Sequence, residues 1–162
     1  RFGGGVSLWP NVVIRAESHY VEIGDFTNIQ DFSMLHIGGG PTIIGAYCSI
    51  THHATVHGAT IGDHCLIGIN ATIMDDAVIG NNCIIAGNSI VREGTVIPDN
   101  SIAAGVPAKV IAERNNYIAN RLNAVAYEKN GHAYAAGNYR LWSEERHLAE
   151  MLELKERLEN EN

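Results

Sequence analysis

Large aliphatic residues recur every six positions along most of this chain. Ile23, Ile29 and Leu35 are six apart; after a GGGP interruption, Ile44, Ile50 and Val56 are again six apart. One step of five leads to Ile61, and the count then holds through Ile67, Ile73, Ile79, Ile85, Val91, Ile97 and Ala103. Four residues after each aliphatic stands a small residue, among them Thr27, Ser33, Cys48, Ala54, Thr60, Cys65, Ala71, Ala77 and Cys83. A period of six fits neither the 3.6 of a helix nor the 2 of a simple strand. It predicts hexapeptide units, about three to each 18-residue turn of a triangular prism, with parallel strands stacked about 4.8 Å apart and the aliphatics on the axis.

The flanks read differently. Up to about Ser18, the segment holding Val6, Val12, Val13 and Ile14 between Gly and Pro reads as strand and turn without a regular period. After Ala103 the repeat ends in AGVPAKVI, where Pro107 stops the strand register. From about Ala112 to Glu128 and from Ser143 to Glu159 the pattern predicts helices. The second places Leu148, Met151, Leu152 and Leu158 on one face, Glu153 within reach of Arg157, and Ser143 as N-cap. The expected division is a coil over residues 1–111 and a helical tail over 112–162 that packs on the prism or at a subunit contact.

With 162 residues the chain is one domain's worth, and its formal charge of -7 without a Lys/Arg cluster excludes a nucleic-acid surface. No apolar run has the length of a membrane span, so a soluble, cytoplasmic protein is expected. The three cysteines all fall in the small-residue register, which makes them packing residues rather than a disulfide framework and fits a reducing compartment.

The histidines bring in chemistry. His36 and His57 follow Leu35 and Val56, which share a column, so the two imidazoles lie on one edge in successive turns. Their separation of 21 is one turn plus three residues that GGGP can loop out. His52, two residues after Ile50, belongs to the preceding face; a neighbouring subunit, rather than the same rigid coil, could present it to the other two. Three imidazoles suit a catalytic zinc with an open fourth position. Spacing alone leaves this open against ordinary surface histidines, since neither HExxH nor Cys-x-x-Cys is present.

The repeat resembles that of the left-handed parallel β-helix proteins, and the histidines with VVIRAE, NIQD and GNYRLW resemble the γ-class carbonic anhydrases and their bacterial γ-carbonic-anhydrase-like relatives over roughly Val6 to Ile111. That resemblance implies a mainly β fold with C-terminal α-helices, and a homotrimer with a Zn2+ ion, or Fe2+ or Co2+, at each interface. His36 and His57 would come from one chain and His52 from its neighbour. It implies reversible hydration of carbon dioxide to bicarbonate by metal-bound hydroxide. Arg15 and Asp31 would correspond to the family's structural ion pair, Gln30 to the side chain that orients the metal-bound solvent, Asn28 to a further active-site polar residue and Tyr139 to a tail tyrosine that reaches the site.

Two departures stand out. Glu17 occupies the place of a shorter acid in Arg-Gly-Asp, and the IGGGPT segment after His36 carries no acid where the family's best-known type has its proton-shuttle glutamate. His53 and His19 are conceivable replacements, or solvent-facing bystanders; His64, His132 and His147 read as surface residues. Three rival functions are a thioesterase or other hydrolase using the same metal site, a hexapeptide acyltransferase, which shares the coil and the GVPAK ending, and a scaffold with little catalysis.

Overall fold

The computed structural model describes residues 1–161. The chain forms a left-handed parallel β-helix of about five turns followed by two helices. Short strands stack into three flat sheets of seven, five and five strands, parallel except for one closing hairpin. Backbone hydrogen bonds run from coil to coil, as from Gln30 N to Ile50 O at 2.8 Å and from Gly68 N to Ile85 O at 2.8 Å. The aliphatic column fills the axis: Ile29, Leu35, Ile50, Val56, Ile67, Ile73 and Ile85 are completely buried. Each such side chain contributes about 1.5–3 kcal/mol relative to exposure.

The coil starts earlier than the regular period. Phe2 bridges to Ile23, Leu8 pairs with Ile29 and Ile14 with Leu35, so these three residues, six apart, form the first turn. A nine-residue step from Ile14 to Ile23 hides the continuity, just as GGGP makes a nine-residue step from Leu35 to Ile44.

Small residues line the inner corners. Cys48, Cys65 and Cys83 are fully buried and unpaired, and each thiol donates to backbone carbonyls, as Cys65 Sγ does to Gly80 O at 3.0 Å. Hydrogen bonding within this thiol column and burial push the Cys65 and Cys83 thiols far up. They are inert packing groups. At the five-residue step the corner is filled by Ala59 rather than Thr60, which is exposed.

Three residues after most aliphatics the backbone turns with positive φ. Asn fills this position at Asn70, Asn82, Asn88 and Asn100, as its short side chain allows. In the upper coils Phe26, Tyr47 and His64 take it on one edge, and Phe32 and His53 on another. These rings stack from turn to turn: Phe26 on Tyr47 at 4.9 Å, Tyr47 on His64 at 5.4 Å, and Phe32 on His53 at 5.0 Å.

The last repeat strand, Ser101–Gly105, turns back through Val106 and Pro107 into an antiparallel strand, Ala108–Glu113. Helix α1 (Tyr117–Ala135) then lies on the seven-stranded sheet. Asn120 pins it by donating to the His64 and Cys83 carbonyls at 2.8 and 3.0 Å. It begins later and ends later than the pattern predicts, because residues 112 and 113 belong to the hairpin and Gly131 does not stop the helix. That glycine faces Ser7, where even a Cβ would lie 3.5 Å away.

Helix α2 (Glu145–Glu161) packs on α1. Ser143 does not cap it; that residue sits in the 3-10 turn Leu141–Ser143 and donates to Arg140 O. The buried face carries His147, 5 % exposed, and Leu158, whereas Leu148 and Leu152 are exposed. His147 is therefore no surface residue. The Glu153–Arg157 pair does not form; Arg146–Glu150 and Lys155–Glu159 do. Among the described residues no helix is long and apolar enough to cross a membrane.

Candidate metal centre

The strands Met34–His36 and Thr55–His57 pair in register, His36 opposite His57. Leu35 and Val56 point to the axis, so alternation along the strand sends both imidazoles outward. His36 Nδ1 lies 2.8 Å from His57 Nε2. The GGGP loop is pinned beneath them, since Thr42 Oγ1 donates to His36 O and accepts from Gly58 N at 2.9 Å.

Each imidazole is held from its other side by a carboxylate. His57 Nδ1 lies 2.7 Å from Asp75 Oδ1, and His36 Nε2 lies 3.1 Å from Glu17 Oε2. On the neighbouring corner, His52 Nδ1 lies 3.1 Å from Asp31 Oδ2. A carboxylate on the far nitrogen fixes ring and tautomer and leaves the near nitrogen's lone pair free, which is how metal-ligating histidines are commonly oriented. Among the described residues, the one other histidine with such a partner is His132, beside Glu128 one helical turn away on α1. Partial burial, followed by the Arg15 and His57 charges, pulls the His36 pKa below the ordinary imidazole value, favouring the neutral form that binds metals.

Asp75 is not among the residues the sequence points to, although it stands 18 residues, one turn, after His57. Space for it comes from two glycines: a Cβ on Gly38 or Gly58 would overlap its carboxylate.

His52 follows the strand Ser49–Ile50 of the seven-stranded sheet, on the face preceding His36 and His57, as expected. Among the described residues of one chain, no three His, Cys, Asp or Glu side chains are placed to hold a metal. His36 and His57 are brought together; His52 is not brought to them within one copy.

Gln30 and Asn28 lie on the face that leads to His52 and are buried, Gln30 being 2 % exposed. Gln30 Nε2 donates to Asn28 Oδ1 at 2.9 Å, and Asn28 Nδ2 donates to Ser49 Oγ at 2.9 Å, so the Gln30 amide is oriented with its oxygen left over. Within one copy Arg15 pairs with Glu17 and not with Asp31. Tyr139, 70 % exposed, packs edge-on against Tyr134 and lines a cavity of about 500 Å³ with Trp9 and Trp142. Those three partners also line a second cavity, of about 250 Å³, that reaches His52 and Asp31. Its floor includes Tyr127, whose hydroxyl pKa is raised by burial and then by the Asp31 charge. No sequence pattern foretold this aromatic wall.

His53 and His64 are members of the stacked corner ladders. His64 is not a bland surface residue: it lies against Tyr117 of α1, and Arg121 approaches its Nε2 at 3.2 Å.

Residues 58–93 match the bacterial transferase hexapeptide model, described as six repeats. The chain is 39 % identical to Protein YrdA of Escherichia coli over 153 residues, covering 90 % of this chain and 78 % of that one. The chain belongs to the γ-carbonic-anhydrase-like family of hexapeptide-repeat proteins. Within it, a carbonic anhydrase of Geobacillus kaustophilus is 46 % identical over 112 residues, which is 68 % of this chain and 62 % of that protein. A hexapeptide transferase family protein from Anaplasma phagocytophilum superposes with a TM-score of 0.78 at 28 % identity, over 82 % of this chain and 80 % of that one. This γ-carbonic-anhydrase-like chain therefore shares its coil with proteins named for two reaction classes, lyase and transferase.

Proposed function

We propose that the protein is a metal-dependent carbonic anhydrase whose site is completed between copies of the chain in a homotrimer, His36 and His57 from one and His52 from the next. The observation that carries this reading is the set of three carboxylate-held imidazoles, Glu17 with His36, Asp75 with His57 and Asp31 with His52. Two of their ring nitrogens already face each other at 2.8 Å, somewhat closer than the roughly 3.3 Å between two nitrogens on one tetrahedral zinc. The donor set fits zinc, and iron or cobalt by the same preference for imidazole. When bound, such a metal supplies Lewis acidity and brings the pKa of a coordinated water to about 7.

The chain's own residues divide the remaining work. Asp75, Glu17 and Asp31 hold the rings and their tautomers. Asn28 fixes the Gln30 amide, so the Gln30 oxygen is the acceptor available to orient solvent. Arg15 and Asp31 act on the geometry of the subunit contact that presents His52, and Tyr139 closes the outer side.

A second reading has its own support. The His57–Asp75 pair is also the arrangement that holds a general base, as an acyltransferase of this coil family would use. Metal content of protein purified without added metal, with carbon dioxide hydration assayed before and after chelation, separates the two. About one metal per chain with chelation-sensitive hydration supports the lyase; no metal, together with acyl transfer from acetyl-CoA lost in His57→Ala, overturns it in favour of the transferase.

A further inference from the structure

Five aromatic side chains form a continuous wall beside the His52 corner. Trp142 packs edge-on to Tyr127 at 5.2 Å, Tyr127 to Trp9 at 5.6 Å, Trp9 to Tyr134 at 5.7 Å, and Tyr134 to Tyr139 at 4.8 Å. Two cavities adjoin along this wall and share Trp9, Asn130, Tyr134 and Trp142: an inner one of about 250 Å³ at the His52 corner, which a neighbouring copy meets in the proposed trimer, and an outer cleft of about 500 Å³. That volume is in the range of sites for organic ligands and far exceeds what a three-atom gas requires. About half of the Tyr134 and Trp142 surface is left exposed along it.

The polar groups of the cleft are unequally distributed. At its outer end Arg140 has no ion-pair partner among the described residues, and the Asn130 amide between the two cavities has no hydrogen-bond partner among them. Beyond its inner end, in the smaller cavity, stands the Asp31 carboxylate, already engaged with His52. An anionic group is therefore drawn to Arg140 and kept from the inner end, while the wall between them offers π faces and edges for a flat apolar body.

We propose that this cleft binds a small planar aromatic carboxylate, its carboxylate on Arg140 and Asn130 and its ring against Trp9, Tyr134 and Trp142. The site goes beyond carbon dioxide hydration, and its occupancy does not depend on a bound metal.

The chain has two tryptophans and both line the cleft, so intrinsic fluorescence reads it directly. The full chain is titrated with benzoate, with benzyl alcohol as the uncharged probe and cyclohexanecarboxylate as the non-aromatic one, before and after chelation. The expected result is saturable quenching by benzoate, weaker binding of both other probes, and a loss of about 10-fold for benzoate alone in Arg140→Gln. Tyr139→Ala, at the exposed end of the wall, should weaken benzoate as well and guards against a folding defect in variants of the tryptophans. Benzoate binding that is equal in Arg140→Gln overturns the proposal. Binding abolished by chelation places benzoate on a metal and also overturns it. Tryptophans shielded from acrylamide and insensitive to benzoate show a second copy in the cleft, with the same consequence. None of these outcomes depends on hydration activity, so failure of the cleft and failure of the lyase reading are distinguishable.

Discussion

Asp75 Oδ1 lies 2.7 Å from His57 Nδ1, one turn of the coil below it. The contact fixes which ring nitrogen of His57 is free to bind a metal. Asp75→Ala should therefore lower metal affinity about 10–100-fold, measured by chelator competition, while circular dichroism of the coil is unchanged. Unchanged affinity in a folded variant would remove Asp75 from the site.

Gly38→Ala should reproduce that loss without removing any polar group. The added Cβ overlaps the Asp75 carboxylate, a side chain that can swing away, so the fold survives and His57 loses its support. Metal affinity equal to that of the unmodified chain would show that Asp75 has room to stay.

Much of this geometry is legible in the sequence because the coil has a fixed count. Leu35 and Val56 share a column, so His36 and His57 had to be neighbours once GGGP was allowed to loop out. The same arithmetic reaches Asp75 at one turn from His57, but a carboxylate carries no period of its own, so nothing in the pattern singles it out. Phe2, Leu8 and Ile14 already keep the six-residue step; the insertion between Ile14 and Ile23 conceals it. Where α1 sits on the prism is set by side-chain bonds such as Asn120 to the Cys83 carbonyl, 37 residues apart in sequence, and no local pattern encodes them. For that reason the Trp9–Tyr127–Trp142 wall, the partial burial of His64 and the burial of His147 leave no trace in the sequence pattern. In α2 the pattern sets Leu148, Met151, Leu152 and Leu158 on one face, but of these four only Leu158 is buried, and Leu148 and Leu152 are exposed.

Ile67 occupies the middle of the axis with no exposed surface. Ile67→Ala should cost about 2–5 kcal/mol, because rigid coils above and below limit collapse of the cavity. Leu152→Ala, at a position 62 % exposed, should stay within about 0.5 kcal/mol. Denaturant titration of both variants checks the contrast; similar losses would contradict the assigned core.

Burial, then the Arg121 charge, lowers the His64 pKa in the folded state. The unfolded chain thus binds the proton first, and stability contributed by neutral His64 is lost as pH falls from about 6.5 through the lower folded value. His64→Asn keeps a residue suited to positive φ, as Asn82 and Asn100 show on the same edge. The thermal midpoint of the variant should fall less between pH 7.5 and pH 5 than that of the unmodified chain. Parallel curves would place the pH response elsewhere.

The central claim is that one site is made by two copies of the chain. It is tested by mixing His52→Ala chains with His57→Ala chains, each of which lacks a complete site at every interface. In randomly reassembled trimers about a quarter of the interfaces join an intact His36–His57 pair to an intact His52. The account predicts that each variant alone binds no stoichiometric metal and is inactive, whereas the mixture regains metal and chelation-sensitive hydration at about a quarter of the level of the unmodified protein. A mixture that assembles into trimers and stays as empty and inactive as its parts would contradict it.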